Sequence, residues 1–282
     1  MVYDIERKLI NFDEVDFPET LYKYRYFSKE NNISIITKRE VYFSKPSGFE
    51  DPFDCKVPTR WDLLTDEDIL NYYYEDSLRE LNSTATIEER MEFAIHNANN
   101  NALRDKEFIN AKQAEDFAKY DERIGVLSLT PYNNLYELWE KYAENHTGFC
   151  VGFEPNFMLK GIGTGGGIVN YHNELPVILP LYKMPFEIQM QYQIFGKLME
   201  WEFEKEYRTI LSKDGILTEN ERKKILPVQA YKEIIIGAKM TEENVKKFIN
   251  AIPPELKNVP LKREVLNGNK VYIEDFIIQE YK

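Results

Sequence analysis

Two carboxylates and a guanidinium alternate along Trp201-Glu202-Phe203-Glu204-Lys205-Glu206-Tyr207-Arg208. Read as a strand, this segment puts Glu204, Glu206 and Arg208 on one face, about 7 Å between successive members. Carboxylates so close raise one another's pKa, and a neighbouring arginine lowers both. Such a face suits proton transfer or the stabilisation of a developing cation. An exposed edge strand with cross-strand ion pairs carries the same pattern.

Other residues of chemical interest are scattered. Leu135, Leu138, Trp139, Tyr142 and His146 follow one helical face, with Asn134 as the expected cap and Gly148 as the stop. His146 can close that helix as a packing and capping residue, or act as a general acid or substrate contact. His96 and His172 have no ligand-spaced neighbour. Asp51 and Asp54 flank Pro52 and can bind Mg²⁺ or stabilise Asx-type turns. Gly161-Ile-Gly-Thr-Gly-Gly-Gly167 lacks a Lys-Ser/Thr ending and opens no helix, so it is neither a P-loop nor a dinucleotide fingerprint; a flap is expected. Trp139, Tyr142, Tyr22 and Tyr24 suit core and cleft wall, although nicotinamide and adenine rings stack on such side chains.

The elements that must hold these residues read as a mixture. Strands are expected at Leu21–Phe27, Glu40–Ser44, Arg123–Thr130, Phe149–Phe153, Trp201–Leu211 and Tyr231–Ile236. Ser28 caps an expected helix to Thr37, and another runs near Phe186–Glu200. Residues 64–120 read as helical throughout, with Thr65 as a cap and Thr86-Ile-Glu-Glu89 in capping-box spacing. Thr241 caps a helix to Ile252, and Asn267-Gly268 marks a hairpin. The sum is one α+β domain over 1–282, a mixed or antiparallel central sheet with a helical insertion at about 62–120.

Composition narrows the function classes. The chain has 282 residues, 43% hydrophobic and 14% aromatic, enough for a sizeable core and against disorder. A net charge of −12 argues against broad nucleic-acid binding, though a local basic groove stays open. Cys55 and Cys150 lie in no metal-type CxxC spacing and fit a reduced compartment. With neither a signal-peptide pattern nor a membrane-length apolar run, a cytoplasmic protein with no membrane association is expected.

The chain resembles an uncharacterised bacterial family catalogued as domain of unknown function 2971. The resemblance rests on Tyr22-Lys-Tyr-Arg25, Phe49-Glu-Asp-Pro-Phe-Asp54, Ser128-Leu-Thr130 and Trp139-x-x-Tyr142-x-x-x-His146-x-Gly148-Phe-Cys-Val-Gly-Phe153. It continues through Lys197-x-x-x-Trp201-x-x-Glu204-x-Glu206-Tyr-Arg208 and Ile234-Ile-Ile-Gly237, with Glu50 standing where the family usually has Asn.

A more distant resemblance is to arginine-type ADP-ribosyltransferases, which order Arg, Ser-x-Ser/Thr and Glu-x-Glu along three strands. Arg25, Ser128-Leu-Thr130 and Glu204-Lys-Glu206 follow that order. It implies NAD as substrate, with no metal. Glu206 would stabilise an oxocarbenium-like ribosyl cation, and Glu204 would orient or deprotonate an acceptor. Arg25 would hold the pyrophosphate, and Ser128 would fix the Arg or the Glu. Tyr22, Trp139, Tyr142 and Arg208 join Arg25 and Ser128 as candidate substrate contacts, and His146 joins the glutamates as a candidate catalytic group. The ligand would be nucleotide-like, with a possible protein acceptor and a place in bacterial defence or toxin systems. Two alternatives stand beside it: a metal-dependent phosphoesterase or nuclease using Asp51, Asp54, His146 and the glutamates, and a non-catalytic sensor or interaction module.

Overall fold

The computed structural model describes residues 17–100, 102–160, 162, 165–180 and 182–277. These form two compact units: a helical unit of 46–122 with 170–198, and a sheet unit of 17–45 with 123–169 and 199–277. In chain order, the sheet unit first supplies β1 (Leu21–Arg25), the short α1 (Ser34–Thr37) and β2 (Glu40–Tyr42). The helical unit follows with α2 (Asp66–Glu80), α3 (Ile87–Asn99) and α4 (Lys106–Arg123). Next come β3 (Ile124–Leu129), α5 (Tyr136–Tyr142), β4 (Phe149–Phe153), α6 (Pro155–Leu159) and β5 (Gly165–Ile168) of the sheet unit. The helical unit takes β6 (Asn170–His172), α7 (Phe186–Phe195) and β7 (Gly196–Leu198). The sheet unit ends with β8 (Tyr207–Ser212), β9 (Lys223–Ile225), β10 (Tyr231–Ile236), α8 (Glu242–Ala251), β11 (Leu261–Asn267) and β12 (Lys270–Asp275).

The sheet unit is a mixed α+β structure. Its main sheet runs β1-β4-β10-β11-β12, with β10 and β11 parallel and the other neighbours antiparallel. β4 is Phe-Cys-Val-Gly-Phe and is buried at every position, as an apolar strand covered on both faces must be. Its phenylalanines join Leu21, Phe43, Leu127, Ile234 and Ile236 in the larger core cluster. α8 closes one side of that core: Thr241 caps it, Val245 and Phe248 are buried, and the Phe248 ring stands 4.9 Å from Phe149. A three-stranded sheet, β3-β8-β5, meets the edge of β1 through one bridge, where Tyr22 and Thr130 exchange N–H···O bonds of 2.7 and 3.1 Å. That bridge places the alternate face of β1 against β3 and β8.

The helical unit is organised by local signals. Thr65 and Thr86 both make reciprocal capping boxes, with Asp68 and Glu89 respectively. Behind them Trp61, Ile69, Tyr73, Ala94 and Leu103 bury one cluster, and Val57, Ile178, Leu179 and Met184 a second. No helix among the described residues is long and apolar enough to cross a membrane.

Five elements differ from the sequence expectation. Met199–Glu204 is a 3₁₀ helix, and the strand begins at Tyr207, because Lys205 takes a left-handed φ of 45° between them. α5 spans Tyr136–Tyr142 with Leu135 at its N-cap position and no side-chain cap, so Asn134 does not start it and His146 lies beyond its end. Glu144, Asn145 and His146 are all left-handed there, which no helix tolerates. The 28–37 segment is a 3₁₀ turn at Glu30–Ile33 followed by α1, with Lys29 rather than Ser28 at the cap. α7 stops at Phe195, where the chain extends into β7. Gly165–Gly167 is not loop but part of β5, paired with β8, while 161, 163 and 164 lie outside the described residues.

Candidate functional site

β1 reads Leu-Tyr-Lys-Tyr-Arg, and strand alternation sends its tyrosines and its cations to opposite faces. Lys23 and Arg25 turn toward the strands that carry Ser128 and Arg208. The Lys23 ammonium donates to the Ser128 carbonyl at 2.5 Å, and Ser128 is the cross-strand partner of Arg208. Glu206, two residues before Arg208 on the same face, accepts from it in a bidentate pair, Nε–Oε1 and Nη2–Oε2 both 2.8 Å. Arg208 is fully buried and Glu206 nearly so. Glu204 arrives from the 3₁₀ turn rather than the strand. Its buried carboxylate accepts from the Tyr142 hydroxyl at the end of α5. Thr130 pins the intervening left-handed residue through its hydroxyl, which donates to the Lys205 carbonyl at 3.1 Å.

Arg25, Glu204, Glu206 and Arg208 therefore all act on Lys23. Burial pushes the Lys23 amine down to about 7; Arg25 and Arg208 push the same way, and Glu206 and Glu204 only partly oppose them. Burial alone lowers Arg25, to about 10. Among the described residues, its guanidinium makes a single hydrogen bond, to the Tyr24 carbonyl at 3.3 Å, and pairs with no carboxylate. The site thus has a cation with open donors, a lysine close to half-neutral at physiological pH, and two differently held carboxylates. Such a set can bind an anion and move a proton.

Of the residues expected from sequence, Arg25, Ser128, Tyr142, Glu204, Glu206 and Arg208 come together here. Tyr22 and Trp139 do not join them. Tyr22 lies on the other face of β1, where its hydroxyl donates to Glu233 at 2.8 Å and accepts from Asn133 at 3.2 Å. Lys262 completes that group at 2.6 Å from Glu233. Burial works to raise the Glu233 carboxyl, and its bonds to Lys262 and Tyr22 outweigh this and hold it low. Trp139 is fully buried, donates its indole N–H to the Asn133 carbonyl at 2.8 Å and meets Tyr24 edge-on.

His146 has a separate setting. Its Nδ1 lies 2.6 Å from Glu264, whose other oxygen accepts from the Ala238 N–H at 2.9 Å, and its ring packs on Tyr136. All of these groups are in the sheet unit, and none of those contacts is with the Lys23 cluster. Asp51 and Asp54 belong to the helical unit. Asp51 accepts from the Phe53 N–H at 2.9 Å, an Asx turn, and Asp54 pairs with Lys197 at 3.2 Å, both buried. No group of three or more metal-ligating side chains occurs among the described residues.

Lys23 is the member that sequence reasoning missed. The signal was present: a lysine inside an aromatic strand must either reach solvent or lose its charge preference. The chain matches no protein-family model, and no curated protein or solved structure is detectably similar to it.

Proposed function

We propose that the sheet unit binds a nucleotide-type ligand, NAD in the first instance, and cleaves its nicotinamide–ribose bond as ADP-ribosyltransferases do. The observation that carries this is Arg25: a half-buried guanidinium that pairs with no carboxylate among the described residues, beside Lys23, which in turn feels Glu204 and Glu206. A partly desolvated cation without a carboxylate partner invites an anion such as a pyrophosphate.

In this reading, the glycosidic electron pair leaves with nicotinamide, and the ribosyl cation that develops is stabilised by a fixed carboxylate. Glu204 suits that role better than Glu206, because both Glu206 oxygens are engaged by Arg208. Glu206 and Arg208 then position the site. Water or a protein side chain attacks the cation, and its proton passes to Lys23, which is poised to accept one near neutrality. Tyr142 holds Glu204 in place. A cytoplasmic enzyme of bacterial defence, acting on NAD or on a protein acceptor, is the corresponding biological setting.

Incubation with NAD labelled in the nicotinamide ring tests the reading. The wild type should release label, and Glu204→Gln should slow release by about 100- to 1,000-fold with the fold intact. A wild type that releases none, or a Glu204→Gln variant as fast as wild type, would overturn it.

A further inference from the structure

We infer that the sheet unit carries an organic-cation site. Tyr142, Trp201 and Phe203 form an aromatic cage for a quaternary ammonium group of the choline type, and Lys141 fills that cage when no ligand is bound. The Lys141 ammonium lies over all three rings at once, 3.9 Å from the centroid of Trp201, 5.3 Å from that of Tyr142 and 5.8 Å from that of Phe203. A cation within about 6 Å of a ring face is attracted by the ring quadrupole, most strongly by that of tryptophan. All three distances fall inside that range, and the nearest ring is the indole.

The cage is held from behind. Lys141 and Tyr142 end α5, and Trp201 and Phe203 come from the 3₁₀ helix Met199–Glu204. The Trp201 and Phe203 rings form adjoining walls, their centroids 6.2 Å apart and their planes inclined by 30°. Tyr142 and Phe203 pack against the core cluster that contains Tyr24, Leu138 and Trp139. The Tyr142 hydroxyl is fixed as well, by its bond to the buried Glu204 carboxylate. The rings therefore stand in place before a ligand arrives, which keeps the ordering cost of binding small. Lys141 and the three ring residues are each partly exposed, so solvent reaches the group.

The resident cation says what the cage selects. A lysine ammonium is strongly hydrated and carries three N–H donors, for which ring faces supply no carbonyl or carboxylate acceptor. A quaternary ammonium has no N–H donor. It spreads its charge over methyl groups, which also bury apolar surface against the rings. It therefore gains more from the cage than Lys141 does and gives up less water. Lys141, on a flexible four-carbon stem, swings to solvent when the ligand enters. The net charge of −12 favours the approach of a cation.

Titration of the full chain with choline, followed by tryptophan fluorescence and calorimetry, tests the site. Choline has no glycosidic bond and no anionic group, so the outcome is independent of the NAD reading. The wild type should bind choline with a Kd of about 1 mM or below. The uncharged isostere, in which a tert-butyl group replaces trimethylammonium, should bind about 10-fold more weakly. Lys141→Ala removes the competing occupant and should tighten choline about fivefold, and Trp201→Leu should weaken it about 10-fold. Intermolecular NOEs from the N-methyl protons to the Trp201 indole and the Tyr142 ring locate the ligand in the wild type, with no variant needed. Absence of binding to wild type and Lys141→Ala at about 50 mM choline, far above any useful Kd, would overturn the inference. So would equal affinity for the uncharged isostere, unchanged affinity in Lys141→Ala, or NOEs confined to other rings.

Discussion

Replacing Lys23 by methionine keeps the length of the side chain and removes its titration. In the folded chain the amine is lowered from 10.5 to about 7, first by burial and then by Arg25 and Arg208. At about 1.4 kcal/mol per decade, this is a bias of about 5 kcal/mol against the ammonium. Water reaching the half-buried side chain trims that figure. The folded pKa lies below the unfolded one, so between pH 7 and 10.5 the unfolded chain holds the extra proton, and stability rises with pH. The penalty is present in full below about pH 7. From pH 7 to 9, the wild type should gain about 2 kcal/mol relative to Lys23→Met, and at pH 7 the variant should be the more stable. Urea unfolding of both proteins at the two pH values, followed by tryptophan fluorescence, measures the difference. Parallel pH dependence, or a variant destabilised at pH 7, would show that the ammonium is well solvated and would remove Lys23 as a base.

Three further outcomes follow from packing. Trp139→Ala should cost about 3–5 kcal/mol in unfolding free energy, since it deletes a fully buried ring and strands the Asn133 carbonyl. Glu264→Ala should cost about 3 kcal/mol by the same measure, because His146 Nδ1 and the Ala238 N–H lose their shared acceptor in a dry interior. Gly237→Ala should lower stability by about 3 kcal/mol or block folding, readable from melting and soluble yield. A Cβ there would stand 2.2 Å from the His146 carbonyl oxygen and 2.8 Å from that of Gly148, backbone atoms that cannot move aside.

Sequence signals were strongest where the physics is local. Thr65, Thr86 and Thr241 cap helices as their spacing predicts, since an N-cap needs only its own first turn. β4 was legible as an apolar run, Tyr231–Ile236 as a strand, and Asn267-Gly268 as a hairpin, with Gly268 at φ 59°. The alternation of Phe203 to Ile210 was misleading. An alternating run fits a strand equally well whether or not one residue turns left-handed, and Lys205 does so to let Thr130 bind its carbonyl. That turn separates Glu204 from the strand that carries Arg208, giving the two glutamates different partners. The end of α5 failed for a related reason, because the left-handed run Glu144–His146 ends on a carbonyl that accepts from the N–H of Lys239, distant in sequence. Alternation in β1 was visible, but which face would meet β8 depended on the Tyr22–Thr130 bridge.

The central claim is that Arg25 forms an anion-binding corner for a nucleotide pyrophosphate. Calorimetric titration of the wild type and of Arg25→Met with NAD at pH 7 addresses it most directly. The wild type should bind, and loss of a charge-assisted contact should weaken the variant by about 10- to 100-fold without loss of thermal stability. Absence of binding by the wild type, or equal affinity in Arg25→Met, would contradict the claim.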